Sequence, residues 1–306
     1  MKQTRNVLRI YGFALSAVTL LVILLRCLDL FLFYDRGIGY YQSGAILPIM
    51  ETALLFAFPV ALIVAGILWL RHQPVTYAKE SPRLLRLSAL LASIFALVFT
   101  VLGFMENGGA LSLSARLLPI SAIIGAVYFL LSAGKGETPL LPRVLTGVGL
   151  ILFFLLSLGN SYFDVSVGMN TPDKLLFLVA CLSGMLFTVE ELQILVGKEK
   201  RGLYFFSLGA AVFFLGASSI PTLVAVSFGA MYFSPWHLTH LVLLGVFLYA
   251  LTRMLLLVFP APDAKEIPAT EAEESAIAEE DPTPEADAPV TEPTDPSEES
   301  MDSEKE

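Results

Sequence analysis

Charge is scarce in this sequence. Only 15% of its 306 residues are Asp, Glu, Lys or Arg, where a soluble domain carries about a quarter. With 56% hydrophobic residues, that shortage excludes an ordinary water-soluble fold. Cysteine is nearly absent as well. Cys27 and Cys181 both lie in apolar runs and neither belongs to a C-x-x-C, which excludes a disulfide framework and leaves two core- or lipid-facing thiols. The common catalytic signatures are missing: there is no H-E-x-x-H, no G-x-x-x-x-G-K-[ST] and no D-D-x-x-D. Nor is there a basic stripe outside the apolar segments, so no nucleic-acid surface is expected.

Long apolar runs are what the sequence does have. The first, Leu8–Phe33, is interrupted by Arg26 and Asp29 and closes on Tyr34-Asp35-Arg36-Gly37. Lys2, Arg5 and Arg9 precede it in the manner of a secretory signal, but Arg26-Cys27-Leu28-Asp29 stands where small residues would mark cleavage, so a retained span is expected. Crossing the hydrocarbon core takes about 20 apolar residues. Eight segments qualify: 8–33, 44–70, 84–105, 115–133, 144–163, 175–197, 203–228 and 236–259. Lipid offers the backbone no hydrogen-bond partner, so each must be helical, and the alternation of a β-barrel is absent. The expected fold is an all-α, polytopic integral membrane protein with eight transmembrane helices. The connections are too short for a soluble catalytic domain.

The few charges are unevenly placed. Residues 261–306 hold 17 acidic and 2 basic side chains, while residues 1–260 hold 11 acidic and 17 basic. The acidic segment has no aromatic residue and too little apolar area to offset the entropy of ordering. A disordered cytoplasmic tail is expected, with a basic protein as its fitting partner. Placing the N-terminus inside puts 12 Lys and Arg on inner loops and only Arg36, Arg116 and Lys174 outside. That bias puts both ends in the cytoplasm of a cell-membrane protein. Tyr34, Tyr40, Tyr41, Tyr162, Tyr232 and Trp236 then form an outer aromatic belt.

Small residues, Ser121 with Gly125 and Ser207 with Ala211, are expected at helix contacts. Pro59 and Pro221 should kink their spans. A faint echo links Phe33-Tyr34-Asp35 with Tyr162-Phe163-Asp164. It suggests a four-plus-four duplication with parallel halves.

Charges within spans are costly and mark pairs or wet paths. Arg26 and Asp29 share a helical face near the outer surface, close enough to snorkel, and Arg26 can bridge to Asp29 or to Glu51. Glu51 also precedes Leu55, whose carbonyl Pro59 frees, by one turn. Glu190 and Glu191 lie at a similar inner depth to Arg253, which makes an ion pair there plausible. His237 and His240 share a face at the outer mouth of the last span, but no third ligand has metal-site spacing. No metal or other cofactor is expected.

Glu190-Glu191 and Phe233-Ser234-Pro235-Trp236-His237 are similar to fragments of the intramembrane metalloproteases that process CAAX proteins. The similarity stops there. Leu195 stands where that family carries Arg, Leu244 stands where it carries Asn or Asp, and the acids and His237 fall at opposite depths. Three function classes follow in order: a non-enzymatic sensor, assembly or accessory component presenting the tail; an ion-coupled permease using the intramembrane acids; and an intramembrane enzyme. The first leads because no span is broken in its middle by a Gly/Pro pair.

Overall fold

A backbone surrounded by apolar side chains satisfies its own polar groups most simply as a helix. The computed structural model describes residues 2–35, 40–41, 46–69, 83–106, 113–134, 139–164, 171–198 and 201–259. They form α1 (Lys2–Leu32), β1 (Tyr34–Asp35), β2 (Tyr40–Tyr41), α2 (Ile46–Trp69), α3 (Arg83–Glu106), α4 (Leu113–Ala133), α5 (Leu140–Phe163), α6 (Pro172–Leu195), α7 (Arg201–Ser227) and α8 (Thr239–Val258). The acidic segment 261–306 lies outside the described residues. Among the described residues, seven helices, α1 and α3 to α8, are found long and apolar enough to cross a membrane. α2 covers the remaining apolar segment as a helix of 24 residues.

Several boundaries differ from the apolar runs. α1 begins at Lys2 rather than Leu8, and α5 at Leu140 rather than Val144, because a helix continues past the apolar slab wherever its polar flank tolerates it. α6 begins at Pro172, a residue suited to a first turn, where its missing N–H costs nothing. The expected last span opens instead as a 3-10 turn, Pro235–Leu238, before α8. A two-residue hairpin between α1 and α2 was also unexpected: Tyr34 pairs with Tyr41 and Asp35 with Tyr40. The end of the bundle that carries it is called the hairpin end. α7 and α4 run uninterrupted through Pro221 and Pro119.

α3 to α8 close a ring, each packed on the next and α8 packed back on α3. α1 leans on α7 and α8, and α2 leans on α7 and α1. α7 therefore has neighbours on four sides, and 78% of its apolar window is buried against 33% for α5. Aromatic side chains fill the interior of the ring. Phe99 of α3 meets Phe153 of α5 edge-on at 5.5 Å, and Phe129 of α4 meets Tyr249 of α8 at 5.4 Å. Phe187 of α6 also reaches Tyr249. Phe58 of α2, outside the ring, meets Phe213 of α7 with centroids 4.8 Å apart and the rings tilted by 45°.

Close helix approach rests on small residues, since lipid gives helices little hydrophobic reason to associate. Gly125 of α4 lies against Leu150 of α5, and Ser207 and Ala211 of α7 are fully buried. The tightest backbone contact was not apparent from sequence. A Cβ on Gly245 of α8 would stand 2.9 Å from Ala92 Cα of α3. Because that neighbour is backbone, it cannot rotate away. Gly245→Val should therefore push α3 off α8 and cost about 1–3 kcal/mol, the usual range for overpacking, read as a lower unfolding midpoint in detergent. An unchanged midpoint would show that the two helices can separate freely.

Candidate functional site: two buried charge clusters

At the hairpin end, α1 arrives with Arg26 and Asp29, α2 leaves with Glu51, and the first turn of α6 carries Asp173. Arg26 is 1% exposed. Its Nη1 donates to Glu51 Oε1 at 2.6 Å, and its Nη2 pairs with Asp173 Oδ1. The Tyr41 hydroxyl donates to that same Asp173 oxygen at 3.1 Å. Burial, followed by the Asp173 charge, raises the Tyr41 phenol well above its ordinary value, which keeps it a donor. Asp173 occupies the first turn of α6, where the helix dipole favours a negative charge. One guanidinium thus joins α1, α2 and α6, with the hairpin closing over it.

Two sequence expectations are corrected here. Arg26 does not snorkel to the surface, because two carboxylates inside the bundle take its fork. Asp29 is not its hydrogen-bond partner either, although the two share a helical face. Asp29 is 1% exposed, and neither of its carboxyl oxygens has a hydrogen-bond partner. It faces the Glu51 carboxyl, with Arg26 and Asp173 also near.

His237 and His240 stand at the same end. Both are buried. His237 Nδ1 accepts the Ser234 backbone N–H at 3.0 Å, which fixes the 3-10 turn. His240 packs between Trp236 and Phe177, with ring centroids 5.1 Å from each. His237 Nε2 and His240 Nδ1 have no hydrogen-bond partner. Among the described residues, no group of three or more His, Cys, Asp or Glu is placed to hold a metal ion.

The second cluster lies at the opposite end. Glu191 of α6 accepts the Tyr204 hydroxyl of α7 at 2.7 Å on one oxygen and Arg253 Nη2 of α8 at 2.9 Å on the other. Arg253 also donates to the Tyr249 hydroxyl at 3.0 Å and lies 5.4 Å from the centroid of that ring. Tyr249 in turn points its hydroxyl at Glu191 from 3.5 Å. Tyr128 of α4 is buried near this knot. Glu190 is buried beside it. Both Glu191 oxygens are filled, an arrangement suited to holding three helices together and poor for binding anything else.

His240 and Arg253 are 13 positions apart on α8, which is about 20 Å along a helix. The acid pair and the histidines therefore cannot meet on one ion. Asp173, Tyr204 and Tyr249 were not singled out from sequence, and Tyr41 only as a member of the outer aromatic belt. Asp173 was detectable in principle, since Thr171-Pro172-Asp173 is a helix-start pattern with an acid in the first turn. Lys174, counted among the outer-loop charges, is buried and donates its Nζ to the Asp164 carbonyl at 2.6 Å.

Comparison with protein-family models, curated proteins and solved structures finds no match for this chain.

Proposed function

We propose that the chain is a non-enzymatic component of the cell membrane, a sensor, assembly or accessory subunit with eight spans that presents an acidic tail to a cytoplasmic protein. One observation carries this reading: Arg26 with Glu51 and Asp173 at one end, and Arg253 with Glu191 at the other, are engaged with one another, and aromatic rings pack between. α2 supplies the eighth span by its length and apolar composition. The excess of Lys and Arg on the loops remote from the hairpin puts the hairpin end outside and both termini inside. The tail, residues 261–306, is read as a disordered extension repelled by anionic lipid. A parallel four-plus-four duplication would pack α5 on α3 as α1 packs on α7. The ring order lends it no support.

Reporters placed after Gly109 and after Lys198 should appear on opposite faces of the membrane. Full-length chain crosslinked in membranes should retain a basic partner that a chain ending at Pro260 loses, and salt should weaken the retention. A partner held equally without the tail would overturn the assignment. A second reading, an ion-coupled permease, is favoured by the unpartnered Asp29 carboxyl against Glu51. It predicts cation- or proton-driven uptake by proteoliposomes that Glu51→Gln abolishes.

A further inference from the structure

We infer that Asp29 and Glu51 form a proton-binding site inside the bundle, with one proton held between the two carboxyl groups. This rests on neither the tail nor the orientation proposed above. The first observation is a charge imbalance. Among the described residues, Arg26 is the cation set against three carboxyl groups, and its two terminal nitrogens serve Glu51 and Asp173.

The second observation is that Asp29, buried to 1% exposure, receives no hydrogen bond on either oxygen. A bare carboxylate taken from water without a donor costs several kcal/mol. Among the described residues, the other groups at this end are not placed to supply one. The Tyr41 hydroxyl goes to Asp173, and the Lys174 ammonium goes to the Asp164 carbonyl. Arg26 Nε has no acceptor, so it does not reach Asp29. His237 and His240 do not reach it either, since no hydrogen bond ends on an Asp29 oxygen.

Asp29 stands one turn from Arg26, whose Nη1 holds Glu51, so the two carboxyl groups are neighbours, and two neighbouring carboxylates do not both ionise. A proton resolves both problems. The Asp29 hydroxyl then donates to a Glu51 oxygen, while Glu51 keeps its charge for Arg26. Asp173 carries the remaining negative charge at the start of α6, where its side chain is 17% exposed. A metal cation would want more oxygen ligands than these two groups provide, and no three-ligand group is present among the described residues.

Infrared spectroscopy of the full-length protein in lipid nanodiscs reads this directly. At neutral pH the wild type should show the carbonyl band of a buried, protonated carboxylic acid. The band should shift in heavy water, and it should shift again when aspartate carries carbon-13, an assignment that needs no variant. It should be lost in Asp29→Asn and displaced in Glu51→Gln. The amide introduced by Asp29→Asn is neutral and brings its own donor, so that variant should also melt within a few degrees of wild type. A wild-type spectrum without the band, or one whose band ignores the aspartate label, overturns the inference. So does a band that disappears when sodium replaces choline at constant ionic strength, because the occupant would then be a metal cation. A large loss of stability in Asp29→Asn would instead identify Asp29 as an ionised partner of Arg26 and would equally overturn it.

Discussion

Arg26→Met is expected to destabilise the bundle by about 3–5 kcal/mol, the range for breaking a buried ion pair by removing one partner. The loss is large because the guanidinium is shared. Without it, Glu51 and Asp173 both lose their charge-assisted hydrogen bonds. α2 also loses the polar tie that fixes it to α1 and, through Arg26, to α6. Met matches much of the apolar stem, so the effect isolates the charge from the packing. Detergent-titration unfolding of the purified chain measures it. The triple variant Arg26→Met, Glu51→Leu, Asp173→Leu should recover much of the loss, because replacing a whole buried network with apolar groups is often neutral. If Arg26→Met alone unfolds like wild type, the guanidinium does not hold these helices together.

Glu191→Ala should cost about 3 kcal/mol at the other end of the molecule, toward the lower limit for a buried pair. Three donors on two helices, Tyr204, Tyr249 and Arg253, point at one carboxylate, so truncating it leaves all of them short of an acceptor. The cost is smaller than for Arg26 for a physical reason. The Arg253 side chain is 15% exposed against 1% for Arg26, so its guanidinium can turn toward the headgroups once released. The same detergent titration, run on both variants, should rank them in that order. The reverse ranking would mean that the cluster around Glu191 is the deeper of the two.

Much of the fold was legible in the chain itself. The apolar runs, the scarcity of charge and the absence of barrel alternation lead to a bundle of long helices, because in lipid the helix is a local solution that each segment reaches alone. Depth was legible too. Counting residues from the loops places Glu191 and Arg253 at one level and Arg26 with Glu51 at another, since rise per residue along a helix is constant.

Which helix stands beside which was not legible. Asp173 lies 147 positions from Arg26, and nothing local says that the start of α6 packs against α1. The hub role of α7, the backbone contact at Gly245 and the stranding of Asp29 against Glu51 have the same origin. Lateral order among helices of similar composition is decided by how side-chain shapes and the few polar groups fit together, which is a property of the assembled bundle. Hydropathy determines how far along each helix a charge lies; only the tertiary packing determines what it meets there.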